Sequence, residues 1–193
     1  MTKLLCQIND EAFFTKPTDL RFMGKLRDKM VQKQWSYITE DEFISKVTSG
    51  YAWYGCLFNG HDLMHCDTQS QRQCWRAQTI IAVDIDKCAV PAQRMAHFYT
   101  DLGYMPWLVY RTFSDGKDGL HSYRLMWQVE VDHRISYEMW AAVIKGLSGL
   151  TEYGDKRACD GTRMWQGGHH APSWHVSQKP WSYSEFASKL GLL

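Results

Sequence analysis

Residues 79–86 read Thr79-Ile80-Ile81-Ala82-Val83-Asp84-Ile85-Asp86. An apolar, β-branched run that ends in two carboxylates one residue apart is the pattern of a buried strand with charge at its tip. Alternate side chains of a strand share a face, so Asp84 and Asp86 point the same way at the ~7 Å spacing of same-face neighbours. Like charges held that close repel unless a positive charge lies between them. A hard divalent cation such as Mg²⁺ or Mn²⁺, bound by carboxylate oxygens and substrate phosphates, would supply it. Two strand-end acids that simply face water are the competing reading of these residues alone.

Downstream, Pro91 suits the first turn of a helix whose apolar face holds Met95, Phe98, Tyr99 and Leu102, and Gly103 ends it. Residues 106–113 form a second strand-like run, and residues 114–119 carry the strongest hairpin signal of the chain. A third run follows from His121 to Val131. Strand, helix and strand in that order predict a βαβ-type crossover. The next helix spans residues 135–150, with Met139, Val143, Ile144, Leu147 and Leu150 inward and Trp140 at its edge. Residues 153–168 hold two acids, three bases and four glycines, a composition suited to a site loop. From His169 the chain is aromatic and irregular, and residues 181–186 suggest a last short capped helix.

Upstream, Thr39 and Glu42 form a capping-box pattern, and Phe43, Ile44 and Val47 supply the buried face of a helix that stops at Gly50. Residues 51–58 read as one strand. Residues 60–77 read as a solvated loop with His61, His65, Cys66 and Cys74 in it. Zinc is not expected there, because structural zinc sites usually present paired ligands two to four residues apart and no Cys-x-x-Cys occurs. Residues 1–38 read as a loosely attached N-terminal arm or helix, with Met23, Leu26, Met30 and Val31 at near-helical spacing.

The whole chain of 193 residues is read as one domain: the N-terminal segment 1–38, a core over residues 39–168 and a C-terminal extension over residues 169–193. With 45% hydrophobic and 14% aromatic residues, a disordered chain is excluded. No apolar run approaches the ~20 residues of a membrane span and no signal peptide is evident, so a cytoplasmic protein with thiols left free is expected. A formal net charge of +1 gives no whole-molecule attraction to nucleic acid, which leaves a local basic patch, Lys25, Arg27, Lys29 and Lys33, as the DNA-binding candidate.

Val83-Asp84-Ile85-Asp86, Tyr110-Arg111-Thr112-Phe113-Ser114, Tyr123-Arg124-Leu125-Met126-Trp127, Asp155, Cys159-Asp160 and Arg163-Met164-Trp165-Gln166-Gly167 occur in that order. The series resembles the catalytic domain of the archaeo-eukaryotic primase superfamily, and more narrowly the primase-polymerase domains of phage and plasmid replication proteins. The resemblance covers residues 39–168. It implies an α+β fold with an RRM-like core, a mixed or antiparallel sheet flanked by helices, and an additional N-terminal αβ unit. It also implies DNA-directed nucleotidyl transfer in replication of a mobile element, with three carboxylates holding two Mg²⁺ or Mn²⁺ ions. Carried onto this sequence, Asp84 and Asp86 are the first two ligands, Asp155 is the third and Asp160 is its fallback.

Ser114, His121, Arg124 and Arg163 are the nucleotide-contact candidates. The family's Ser-x-His motif is not intact here, because Ser114 and His121 are separated by the hairpin loop. By strand parity His121 and Tyr123 face one side and Ser122, Arg124 and Gln128 the other, which favours Arg124 as the phosphate contact. Arg163 has a second reading as a partner of Asp155 or Asp160. Trp53, Trp75 and Trp165 are candidates for stacking on bases. Expected partners are single-stranded DNA and NTP or dNTP. A helicase would lie elsewhere, since no Gly-x-x-x-x-Gly-Lys motif is present. A DNA-binding initiator without catalysis and a metal-dependent nuclease are the rival readings. A rolling-circle nicking enzyme is set aside for want of a His-apolar-His pair.

Overall fold

The apolar run of residues 79–86 becomes the long strand β6 (Ile80–Cys88), and its two faces are buried in different places. Ile81, Val83 and Ile85 enter one apolar core, while Ile80 and Ala82 enter another. The computed structural model describes residues 3–59 and 68–193, with the backbone alone for residues 68–70. His61, His65 and Cys66 therefore lie outside the described residues. Among the described residues Cys6, Cys56, Cys74, Cys88 and Cys159 are free thiols.

Elements in chain order are β1 (Lys3–Ala12), α1 (Leu20–Gln32), β2 (Ser36–Thr39), α2 (Glu40–Val47), β3 (Tyr51–Tyr54), β4 (Cys56–Phe58), α3 (Thr68–Cys74), β5 (Trp75–Gln78) and β6. After β6 come α4 (Ala92–Asp101), β7 (Leu108–Arg111), β8 (His121–Gln128), α5 (Tyr137–Gly149), β9 (Met164–Trp165), β10 (Trp174–His175) and α6 (Tyr183–Lys189). The fold is α+β. One four-stranded sheet runs β10-β7-β8-β6, a second runs β2-β1-β3-β9, and β4 pairs with β5.

In the first sheet β6 and β7 are each antiparallel to β8, so they run parallel with β8 between them. They are joined through α4, which makes a split β-α-β unit. The register sets Asp84 opposite Arg124, and Arg124 opposite Tyr110. Beside β6, where the sheet would otherwise end, an antiparallel bridge joins Ile85 to Gly154, and the Asp155 amide donates to the Asp84 carbonyl at 2.9 Å. Gly154 lies so close to the end of α5 that a Cβ there would stand 2.2 Å from the Ser148 carbonyl oxygen.

Helices α4, α5 and α6 cover one face of this sheet, burying Met95, Tyr99, Trp140, Val143, Ile144, Leu147 and Phe186 against Val83, Leu125 and Trp127. Its other face meets the second sheet and α2 through Leu4, Cys6, Ile8, Phe43 and Trp53 against Ala82, Trp107, Leu108 and Met126. Helix α1 packs Leu26, Met30 and Val31 on the remaining face of the second sheet, against Ala52 and Tyr54. The expected caps form locally: Thr39 accepts from the Glu42 amide, and Ser182 with Glu185 closes a full capping box at α6.

Several expectations are corrected. Residues 3–12 are not part of a loosely attached arm but a central strand, because alternating Leu4, Cys6 and Ile8 have a core face to fill. The strand expected over residues 51–58 is split at Gly55, whose carbonyl accepts from the Thr79 and Ile80 amides. A Cβ there would meet the Ile80 oxygen at 2.1 Å, so the close approach requires glycine. The described part of the loop expected over residues 60–77 contains α3 and β5. On α4 the buried stripe is Ala92, Met95, Ala96 and Tyr99, which leaves Phe98 and Leu102 beside it and exposed. On α5, Trp140 rather than Met139 is in the core. No helix among the described residues is long and apolar enough to cross a membrane.

Candidate metal centre

The strand parity read from residues 79–86 carries through. Asp84 and Asp86 leave β6 on the side of the second sheet, and the bridge at Ile85 brings Asp155 up beside them. One carboxylate oxygen from each of Asp84, Asp86 and Asp155 lies within 4.8 Å of the other two. Asp84 is buried, Asp155 half-buried and Asp86 exposed, so the cluster has a floor and an open side. Thr112, Phe113, Ser114, Arg124, Gln166, Gly167 and Lys16 complete a depression of about 30 Å³ around the first two acids. A single water needs ~10–15 Å³ on this measure, so the space suits one or two small ions or waters.

The donor set fits a hard divalent ion, because among the described residues each acid keeps an oxygen free of protein hydrogen bonds. Both contacts of Arg124 to Asp84, from Nε at 3.0 Å and Nη2 at 2.8 Å, fall on Oδ1. Asp155 spends Oδ1 on the Arg157 amide at 2.8 Å, as the cap of the short 3-10 turn Lys156–Ala158. Burial pushes the Asp84 carboxyl above its ordinary value, Arg124 opposes this and Asp86 adds to it. Three carboxylates sharing one cradle are an electrostatic cost that a cation would relieve.

Arg124 is held as firmly as its partner. Its Nη1 donates to the Tyr110 hydroxyl and to the Gln166 carbonyl, each at 2.6 Å. Its guanidinium carbon lies 4.4 Å from the centre of the Trp165 ring. Tyr110 in turn accepts from Trp53 Nε1 at 3.1 Å and donates to the Gln166 carbonyl at 3.0 Å. Burial disfavours the charged guanidinium, but Asp84 and Tyr110 more than offset it and keep the Arg124 pKa above its usual value. Arg124 therefore lines the depression as a fixed neighbour of the acids.

No family model matches this chain, and no curated protein does. The chain is similar in structure to the AEP domain of the cyanophage S-2L primase-polymerase. That likeness has a TM-score of 0.49 at 13% sequence identity and covers 98% of this chain and 89% of the other. The chemistry of the site is carried by the residues of the cradle themselves.

Of the other candidates, Ser114 lines the depression and His121 does not. His121 leaves β8 on the opposite face from Arg124, with Nδ1 3.4 Å from the largely buried carboxylate of Asp115. Asp160 stands outside the cluster, its Oδ1 taking the Tyr137 hydroxyl at 2.7 Å and the Thr162 amide and hydroxyl at 2.9 and 2.8 Å. Arg163 pairs with neither Asp155 nor Asp160; its Nη1 donates to the Arg157 carbonyl at 3.1 Å. Lys29 on α1 and Lys33 at its C-terminal cap are engaged with Asp10, while Arg27 points elsewhere and lines a concavity with Arg157 and Arg163. Trp53 and Trp165 are buried and so cannot offer a face to a base, and Trp75 is half-buried. Lys16, the first residue of the basic stretch 16–33, also lines the depression.

Proposed function

We propose that this chain is a template-directed nucleotidyltransferase, a primase or primase-polymerase that copies single-stranded DNA with ribo- or deoxynucleoside triphosphates in the replication of a mobile element. One observation carries the reading: Asp84, Asp86 and Asp155, separated by up to 71 positions, present ligand oxygens within 4.8 Å of one another at an open depression. Asp84, Asp86 and Asp155 would hold Mg²⁺ or Mn²⁺. The chemistry that two such ions would supply there is stabilisation of the attacking and leaving oxygens of an in-line displacement at phosphorus.

The protein's own groups orient and balance charge. Arg124 pins Asp84 through one oxygen and leaves the other for coordination. Ser114 and Lys16, which line the depression, would meet a triphosphate, Ser114 as a hydrogen-bond donor and Lys16 as a point charge. Arg163, 5.6 Å from the Trp165 ring centre, adds positive charge on the same side.

The test is incorporation of labelled nucleotide on a single-stranded DNA template, with and without a primer, in Mg²⁺ or Mn²⁺. The parent should lengthen product, and a folded Asp84→Ala, Asp86→Ala variant should lose at least about a hundredfold in rate. Products shorter than the input would instead assign the cradle to a nuclease. Salt-sensitive DNA binding with no metal affinity would assign the chain to a non-catalytic initiator.

A further inference from the structure

Beyond the end of β8 a cavity of about 390 Å³ is lined by the start of β1, by Leu57 of β4 and by residues 128–131. Its volume lies within the ~300–1,000 Å³ of small-molecule sites. Gln128, the last residue of β8 and only 1% exposed, forms part of its floor. Among the described residues neither the amide nitrogen nor the amide oxygen of Gln128 has a hydrogen-bond partner. A buried donor and a buried acceptor left unpaired are a cost that a ligand carrying the complementary pair removes.

The rest of the lining narrows what that ligand is. The backbone around Gln128 is already paired, since its carbonyl accepts from the Trp181 amide and the Val129 amide donates to the Thr79 carbonyl, each at 2.9 Å. Trp35 spends Nε1 on the Phe58 carbonyl at 3.0 Å, which fixes its ring in the cavity wall. Leu57, Val129 and Pro180 add apolar wall, and Tyr37, 68% exposed, has a ring free to close over a flat molecule. Lys3 and Glu130 are opposite in sign, Glu130 is engaged by Lys179 at 3.7 Å, and no guanidinium lines the cavity, so it is not built for phosphate. What fits is a neutral flat ring with a donor and an acceptor on neighbouring positions. A glutamine amide pairs in this bidentate way with the 6-amino group and N7 of adenine.

We propose that this cavity binds an uncharged adenine heterocycle, as the free base or the nucleoside, with Gln128 accepting from the 6-amino group and donating to N7 while Trp35 and Tyr37 pack on the ring. Gln128 lies four positions, about 13 Å, along β8 from Arg124, so the cavity is separate from the metal cradle. Its amide neither titrates nor attacks, and the ligand is held as an effector rather than turned over. The assignment does not rest on the nucleotidyl transfer proposed above.

Calorimetric titration with adenosine in EDTA tests it. The parent and a folded Asp84→Asn, Asp86→Asn variant should bind equally, with Kd below about 1 mM. Gln128→Leu should lose at least about tenfold in affinity while its thermal midpoint holds or rises, because an unpaired amide gives way to an apolar side chain of similar size. Purine riboside, which lacks the 6-amino donor, should bind the parent at least about tenfold more weakly than adenosine. Should Gln128→Leu fail to fold, Tyr37→Ala at the exposed ring should still weaken adenosine by at least about threefold. No saturation up to about 10 mM adenosine leaves the amide to water and overturns the site. Unchanged affinity in Gln128→Leu or for purine riboside overturns the amide pairing, and unchanged affinity in Tyr37→Ala overturns the location. Loss of binding in the aspartate variant moves the ligand to the cradle and overturns a separate site. Displacement of adenosine by ATP at least about tenfold better than by adenine would mean that phosphate is read, and overturns the neutral ligand class.

Discussion

Replacing Arg124 by Met tests the electrostatic account of the cradle most directly. Arg124 is 6% exposed and Asp84 8%, and the pair is joined by two contacts at 2.8 and 3.0 Å. Removing one member of a buried pair leaves the other uncompensated, at a cost of about 3–5 kcal/mol. In this case the Tyr110 hydroxyl and the Gln166 carbonyl lose a donor as well. For a domain of this size, at about 2–4 °C per kcal/mol, the thermal midpoint in EDTA should fall by about 6–20 °C. Mn²⁺ should restore more to the variant than to the parent, because the ion then supplies positive charge that the guanidinium no longer does. At saturating Mn²⁺ the gap closes by RT ln of the ratio of the two Kd values, about 2.7 kcal/mol if the variant binds the ion a hundredfold more tightly than the parent. The assay is thermal unfolding followed by circular dichroism, with EDTA and with a Mn²⁺ series, for parent, Arg124→Met, Asp84→Asn and the double variant. A loss under about 1 kcal/mol, the worth of a surface pair, would refute the reasoning. So would a gap that Mn²⁺ leaves unchanged.

Three further outcomes rest on the same geometry. Asp155→Asn should keep the fold and lower Mn²⁺ affinity by at least about a hundredfold, the upper range for outer-shell partners, as read by electron paramagnetic resonance of free Mn²⁺. Gly154→Ala should cost about 1–3 kcal/mol in urea unfolding and weaken Mn²⁺ binding as well, because its Cβ would displace the segment that carries Asp155. Burial raises the Asp160 carboxyl, but the bonds from Tyr137 and Thr162 more than offset this and hold it below its usual value. A depressed folded pKa contributes stability above the unfolded value of about 3.9 and loses it as pH falls through the folded value. Tyr137→Phe should therefore raise the Asp160 pKa in a carbon-13 NMR titration and shrink the stability difference between pH 7 and pH 3.

Much of the first sheet was legible because its signals are local. The alternation in residues 79–86, the turn chemistry of residues 114–119 and the parity of β8 each depend on neighbours one or two positions away, and each placed side chains on the correct face. Asp155 was within reach only through the ordered motif series, since nothing in Tyr153-Gly154-Asp155 by itself points toward β6. The second sheet was largely missed. Its strands come from residues 3–12, 36–39, 51–54 and 164–165, and their pairing is a long-range fact that no single window contains.

The sequence by itself determined that two acids share a strand face, that a hairpin sets Arg124 on a neighbouring strand, and that the helices end where glycine and capping residues stop them. Those outcomes follow from backbone stereochemistry, which acts over a few residues. Tertiary structure decided which charges meet. The bridge from Gly154 to Ile85 brings the third acid to the first two, Trp165 gathers Arg124 and Arg163 at one ring, and Asp10 takes Lys29 and Lys33 out of the basic patch. Charge interactions depend on separation in space and on burial, and both are settled only when the two sheets close on each other.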